Sequence, residues 1–286
     1  MTTATSATTS VFAPRSPGDR PVIMGILNAT PDSFSDGGLF SDADVAIERG
    51  LELYENGADI VDVGGESTRP GAERVSVDEE QQRVLPIIRG LAAAGVPVSV
   101  DTMNSETALA ASDSGAVLIN DVSGGLADPE MYRTVARTGL HYVAMHWRGH
   151  SHEMQQKAVY TDVVADVRSE LQHRLAELII WGVDPERVIL DPGVGFAKDA
   201  DQNWAVLGHL PEFTSLGFPV LVGASRKGFL APFASEGAPA EDRDPATAIL
   251  SALAAQAGAW GVRVHNVAAT VAALDVASAW QKGAAA

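Results

Sequence analysis

Two carboxylates and one amide stand at the ends of short apolar segments of this chain. Asp101, Asn120 and Asp191 each close a run rich in Val, Ile and Leu. Together they can accept and donate hydrogen bonds to a flat heterocycle with both amino and oxo groups, the edge pattern of a pterin or a guanine. Each residue alone could be a helix cap or a turn residue, and Asp191 before Pro192 is typical of a turn. Convergence of the three favours a ring-binding site.

A cluster of cations near the C-terminus offers a second kind of chemistry. The formal net charge is −17, which disfavours nucleic acid and anionic membranes, so an anionic ligand requires a local basic group. Residues 225–227 (Ser-Arg-Lys) and 263–266 (Arg-Val-His-Asn) meet this requirement. They predict a phosphate site. The alternative is surface charge balanced by nearby acids, and Arg226 is the member most typical of such a structural role.

Two polar loops follow the first two apolar runs. Residues 28–38 contain two acids, three hydroxyls and a final Gly pair, and we expect this loop to cover a ligand, with Phe34 in contact. The alternative is a long turn whose Asp and Ser side chains cap their own backbone. In residues 64–72, adjacent glycines permit close approach, and Arg69 offers a planar fork to phosphate or carboxylate. Arg69 could instead form a salt bridge with a neighbouring Glu.

Other reaction classes find little support in the sequence. His146, His150 and His152 share one loop, but a segment of Arg, Gly and Ser offers no helix face to fix tetrahedral zinc ligands. The chain contains no Cys, which excludes disulfides, thiolate metal sites and Cys nucleophiles and leaves the cytoplasm as the default location. There is no nucleophile elbow, Walker-type loop or dinucleotide fingerprint, so serine hydrolysis, nucleotide triphosphate use and Rossmann chemistry are disfavoured.

The elements that position these residues alternate regularly. Short β-branched apolar runs predict eight strands, at 22–28, 59–64, 96–101, 117–120, 141–146, 188–191, 220–225 and 262–265. Amphipathic windows predict helices between them, including 42–56, 78–94, 105–114, 161–181 and 245–259. Several of these elements end at Gly, at positions 57, 95, 115, 139 and 182.

This alternation predicts an α/β fold, a (β/α)8 TIM barrel in a single domain over residues 21–286. Residues 1–20 are rich in Thr, Ser, Ala and Pro and predict a disordered N-terminal tail. An open doubly wound sheet is the alternative fold. In a barrel, the carboxyl ends of the strands converge on one mouth, so we expect the site there.

At these residues the chain resembles the dihydropteroate synthases, a family of pterin-binding β/α barrels, from about residue 21 to the final helix. The resemblance lies in seven segments that follow the family's order, at 25–38, 64–72, 99–102, 120–125, 191–198, 223–229 and 263–267. It implies a transferase of folate biosynthesis that condenses 6-hydroxymethyl-7,8-dihydropterin pyrophosphate with 4-aminobenzoate to give 7,8-dihydropteroate and pyrophosphate. A pterin-binding methyltransferase and a non-catalytic pterin-binding paralogue are the alternatives, although neither requires the cation cluster.

The resemblance also implies Mg²⁺, inhibition by sulfonamides, a homodimer and a role for individual residues. It assigns catalysis to Asp101, Asp191, Lys227 and Arg263. Pterin contacts are implied for Asp101, Asn120, Met145, Asp191 and Lys227. Pyrophosphate contacts are implied for Asn28, Arg69, Arg263 and His265, with Mg²⁺ at Asn28. Contacts with 4-aminobenzoate are implied for Phe34, Thr68, Arg69, Pro70, Phe196 and Ser225. The chain departs from the family at Ala29, Ala197 and Asn266, where Val, Gly and Asp are usual, and the last departure puts the orientation and charge of His265 in doubt.

Overall fold

Eight parallel strands form the centre of the molecule. The computed structural model describes residues 11–13, 19–29, 39–66, 75–150 and 154–284. The strands are Val22–Asn28 (β1), Ile60–Gly64 (β2), Val98–Asp101 (β3), Leu118–Asp121 (β4), His141–Met145 (β5), Val188–Asp191 (β6), Leu221–Val222 (β7) and Gly261–Val264 (β8). Their order is β6-β5-β4-β3-β2-β1-β8-β7, and a bridge between Leu190 and Val220 joins β6 to β7. The (β/α)8 prediction is therefore confirmed, and the open sheet is wrong.

Helices follow the strands and cover the outside of the barrel. They are Leu39–Glu55 (α1), Val77–Ala93 (α2), Ser105–Asp113 (α3), Met131–Thr138 (α4), Val163–Ile180 (α5), Ala200–Gly208 (α6), Leu210–Thr214 (α7), Asp244–Gln256 (α8) and Val267–Ala284 (α9). The five predicted windows match α1, α2, α3, α5 and α8 to within a few residues. The named windows did not include α4, α6 or α7, which have 8, 9 and 5 residues.

The predicted glycine ends are confirmed, because Gly57, Gly95, Gly115, Gly139 and Gly182 all have positive φ angles. Gly139 shows the reason, since it ends α4 at a φ of 63° and donates its backbone N–H to the carbonyl of Val135 at 3.0 Å. Only a residue without a side chain adopts this left-handed conformation at little cost.

Two apolar layers hold the barrel together. The interior contains a cluster of inward-facing strand residues, among them Met24, Ile60, Leu118, Val143, Ile189 and Leu221. A larger cluster lies between the outer faces of the strands and the helices. Because side chains alternate along a strand, a residue two positions beyond an inward residue also points inward. This rule directs Asp62, Asn120, Met145 and Asp191 into the barrel at its carboxyl-terminal end, where the site is expected.

Part of the predicted tail packs on the opposite end of the barrel. Val11 is 8% exposed and joins the interior cluster, while the ring of Phe12 stacks on His141 with centroids 3.7 Å apart. Arg20 pairs with Asp59 at 2.8 Å just before β2. Val11, Phe12 and Arg20 therefore contact the barrel, whose N-terminal end offers apolar surface that composition alone does not reveal. None of the helices in the described ranges is long and apolar enough to cross a membrane.

Candidate active site

An arginine bound by two buried carboxylates lies at the mouth of the barrel. Arg263, from β8, places Nε 2.6 Å from Asp62 Oδ2 and a terminal nitrogen 2.6 Å from Asp101 Oδ2. Although burial acts to lower it, the two carboxylates raise the pKa of Arg263 above its ordinary value. Asn120 donates to the same oxygen of Asp62 at 2.9 Å. Strands β2, β3, β4 and β8 thus meet through four side chains.

Asp101 lies inside this group and carries a perturbed carboxyl. It ends β3 and pairs in register with Asn120 on β4. Burial raises the pKa of Asp101 to about 7, although the Arg263 guanidinium acts in the opposite direction. Burial and Arg263 thus have opposite effects on the charge of Asp101. A donor such as a ring N–H or a cation favours the charged carboxylate, which then accepts a strong hydrogen bond.

Asp191 and Lys227 form the other side of the mouth. Asp191 ends β6, is 5% exposed and accepts a hydrogen bond from the Gly193 N–H at 2.7 Å. Burial raises its pKa, while Lys227 acts to lower it. Burial also lowers the pKa of Lys227 to about 8, and the ammonium lies 4.4 Å from the centroid of the Phe196 ring. This ammonium donates to the carbonyl of Val194.

Gly223 leaves room between the two sides. A Cβ atom built at Gly223 would lie 3.6 Å from Asp191 Oδ2 and 3.8 Å from Arg263 Cβ, so both side chains approach this strand end. The structure therefore brings Asp101, Asn120, Asp191, Lys227 and Arg263 to a single mouth, as predicted. Met145 also lies there, buried and in register with Asp191.

Ser225 and His265 meet beside the cations. Ser225 Oγ lies 2.9 Å from His265 Nδ1 and accepts the His265 backbone N–H at 3.2 Å. These contacts fix the imidazole ring on the side of Nδ1. Arg226 instead donates to both oxygens of Asp244, at 2.7 and 2.9 Å, which confirms its structural interpretation.

The departure at Asn266 has a local explanation. Asn266 Oδ1 accepts the Ala269 N–H at 3.1 Å at the start of α9, and its amide donates to Asp244 at 3.1 Å. Asn and Asp cap helices almost equally well. The ring of His265 is held by Ser225, so the concern that Asn266 weakens its orientation is not supported by these contacts.

Of five further predicted site residues, the structure describes one. Asn28 ends β1, is half-buried and pairs in register with Gly64. Phe34, Thr68, Arg69 and Pro70 lie outside the described residues.

The sequence analysis gave no role to Asp62 or to a group of three polar residues that borders the site. Asp62 is fully buried, and its inward position two residues after Ile60 was the available signal. Lys198, His146 and Glu170 form the group, with Lys198 Nζ 3.0 Å from His146 Nδ1 and His146 Nε2 2.9 Å from Glu170. No periodic pattern in the sequence indicated these contacts.

Within the described ranges, no three His, Cys, Asp or Glu residues are grouped to hold a metal ion.

Comparisons with known proteins agree with this geometry. The family model described as "Pterin binding enzyme" matches residues 24–265. A dihydropteroate synthase of Mycobacterium leprae is 51% identical over 263 residues, which cover 90% of this chain and 93% of that protein. The structure of a Xanthomonas albilineans dihydropteroate synthase with 4-aminobenzoic acid aligns at a TM-score of 0.86 and 44% identity, covering 92% of this chain and 94% of that one. A Yersinia pestis dihydropteroate synthase with a sulfonamide drug complex aligns at 0.85 and 38%, covering 92% and 95%.

Proposed function

Because the chain belongs to the pterin-binding enzymes and, within them, to the dihydropteroate synthases, we propose how its residues divide the work of that reaction. The reaction condenses 6-hydroxymethyl-7,8-dihydropterin pyrophosphate with 4-aminobenzoate, giving 7,8-dihydropteroate and pyrophosphate. These assignments rest on the mouth of the barrel, where buried acids and an amide lie beside two cations.

The acids and the amide bind the pterin ring. Asp101, Asn120 and Asp191 present oxygen and N–H groups from three strands, which suit the amino and oxo edge of a pterin. Lys227 adds a half-buried donor and Met145 a buried apolar wall. Since all of these side chains are held by strand ends or by their neighbours, they meet the ring with little loss of side-chain freedom.

The cations stabilise the departing pyrophosphate. Arg263 contacts Asp101 and Asp62 through different nitrogens, so it can release Asp101 to the pterin and turn that nitrogen to a phosphate oxygen. We assign Asn28, Arg69 and His265 to the same leaving group. Neutralising its charge favours cleavage of the bond between the methylene carbon and the pyrophosphate oxygen. The electron pair leaves with pyrophosphate, and the cation that forms is delocalised into the pterin ring beside Asp101 and Asp191.

The neutral amine of 4-aminobenzoate then attacks the methylene carbon and loses a proton. We assign the pocket for this substrate to Phe34, Thr68, Arg69, Pro70, Phe196 and Ser225. Of these, Phe196 and Ser225 lie next to Lys227 and His265 respectively. Exclusion of water from this pocket protects the cation from hydrolysis. A covalent enzyme intermediate is not required.

Mg²⁺ fits the donors at the mouth. Mg²⁺ is usually held by one or two protein oxygens together with substrate phosphates. Asn28 supplies an amide oxygen at the end of β1, which suits that pattern. When bound, the ion would neutralise charge on the pyrophosphate. Loss of turnover in EDTA, restored by Mg²⁺, tests this assignment.

The reaction can be tested directly. Purified protein is incubated with the pterin pyrophosphate, Mg²⁺ and 4-aminobenzoate, and dihydropteroate and pyrophosphate are measured together. A pterin-binding methyltransferase or a non-catalytic paralogue would release no pyrophosphate.

We also expect sulfonamides to compete with 4-aminobenzoate, because both present an aniline. Inhibition competitive only with the pterin substrate would contradict the pocket assignment.

We also propose a homodimer built on α8 and α9. One face of each helix packs on the barrel, while Ile249, Leu253, Val276 and Trp280 remain 58 to 76% exposed. An apolar surface of this kind is typical of a protein interface. Light scattering measures the oligomeric state, and Leu253→Glu should shift the protein to monomer.

A cytoplasmic location is a further prediction, and cell fractionation tests it.

A further inference from the structure

A buried lysine lies beneath the loop that follows β6. Lys198 is 3% exposed, and its ammonium contacts His146 Nδ1 at 3.0 Å and the carbonyl oxygens of Gly193 at 3.0 Å and Phe196 at 3.2 Å. Burial lowers the pKa of Lys198 to about 7. In the protonated form the ammonium has three N–H donors, and these contacts use all of them. Two of the three fix backbone carbonyls of the same loop.

The histidine beneath Lys198 is itself held in place. Burial lowers the pKa of His146 to about 4, so the ring is neutral at pH 7 and Nδ1 can accept from Lys198. Its Nε2 lies 2.9 Å from Glu170, which also accepts from Arg148 Nε at 3.1 Å. The lysine is thus anchored to α5 through a chain of side chains, and its position is not set by the loop alone.

The loop above Lys198 adopts a backbone conformation that needs support. Ala197 has a φ of 46°, a left-handed conformation that a residue with a side chain rarely adopts. Its carbonyl accepts a hydrogen bond from the Tyr160 hydroxyl at 2.9 Å. Such a residue persists when the contacts around it fix the conformation. Lys198 and Tyr160 supply these contacts.

This loop also carries residues of the proposed site. The Gly193 N–H donates to Asp191, while the carbonyl of the same residue accepts from Lys198. The Phe196 ring faces the Lys227 ammonium at 4.4 Å, while the Phe196 carbonyl accepts from Lys198. One buried side chain therefore contacts Phe196 directly and reaches Asp191 through Gly193.

We propose that Lys198 is a positioning residue that holds Phe196 against the 4-aminobenzoate pocket and supports Asp191 at the pterin by binding the carbonyls of Phe196 and Gly193. The inference rests on the proposed roles of Phe196 and Asp191. Asp191 is also fixed by β6, whereas Phe196 depends on the loop. Loss of Lys198 should therefore affect 4-aminobenzoate more than the pterin substrate.

Steady-state kinetics of Lys198→Met test the proposal. We expect the KM for 4-aminobenzoate to rise by about tenfold or more, with kcat and the KM for the pterin substrate changed less than about threefold. The inhibition constant of a sulfonamide should rise in parallel. Lys282→Met, which removes an exposed lysine near the end of α9, is the matched control and should leave all constants unchanged.

Tyr160→Phe keeps the test decisive if Lys198→Met does not fold. This variant removes only the hydroxyl that binds Ala197, and we expect a rise of about threefold in the KM for 4-aminobenzoate at unchanged kcat. Equal changes in both KM values, or a 4-aminobenzoate KM within about twofold of the wild type in the folded variants, would overturn the proposal. Failure of the wild-type chain to form dihydropteroate would instead refute the proposed function.

Discussion

Replacement of Asp62 by Asn tests the arrangement at the mouth most directly. One oxygen of this fully buried carboxylate accepts from Arg263 at 2.6 Å and from Asn120 at 2.9 Å. The substitution keeps the size of the side chain and removes its charge. Asp101 is then the remaining salt-bridge partner of Arg263 among the described residues, so we expect Arg263 to stay on Asp101 and to be less available to the pyrophosphate.

The size of the effect follows from the lost contact. A hydrogen bond to a charged group contributes about 1.5 to 3 kcal/mol. If this stabilisation is lost from the transition state, kcat/KM falls roughly 10- to 150-fold, at about 1.4 kcal/mol for each factor of ten. Pyrophosphate release at varied pterin substrate measures the fall, and urea unfolding measures the accompanying loss of stability.

Asp59→Asn is the matched control, because Asp59 lies just before the same strand at the other end of the barrel. It pairs with Arg20 at 2.8 Å, with both side chains partly exposed. A pair of this kind contributes about 0 to 1 kcal/mol to stability, and its loss should leave the kinetic constants unchanged. If Asp62→Asn kept kcat/KM within about threefold of the wild type, or if both variants lost activity equally, the role given to Asp62 would be wrong.

Three further predictions concern Asp191, Lys227 and Phe12. Asp191→Asn should weaken pterin binding and turnover sharply, and near-unchanged kinetics would disprove its assignment. The wild-type kcat/KM for the pterin substrate should fall as the pH rises through about 8, the pKa of Lys227, and Lys227→Met should lose this pH dependence. Between about 8 and the ordinary lysine value of 10.5 the unfolded chain binds more protons, so this group's contribution to stability rises with pH. Phe12→Ala, which removes a ring stacked on His141, should lower the free energy of unfolding by about 1 to 2 kcal/mol without changing the kinetics; slower turnover at equal stability would contradict this.

Strand ends were predictable because the signals for them are local. An apolar run, its two-residue alternation and the Gly that precedes the next strand are all read within a few residues. The sequence therefore predicted that Asp101, Asn120 and Asp191 would face one mouth. The packing of Val11 and Phe12 beneath the barrel lacked such a signal, since surfaces formed elsewhere in the chain decide it.

The sequence by itself determined which residues reach the mouth, and the tertiary structure decided which of them bind one another. Arg263 and Asp62 are 201 residues apart, and they meet because β1 pairs with both β2 and β8 and so brings the two ends of the chain together. Lys198 and His146, 52 residues apart, meet because β5 and β6 are adjacent. Ionic and hydrogen-bonded partners depend on distances of a few ångströms, and those distances exist only once the ring of strands has closed.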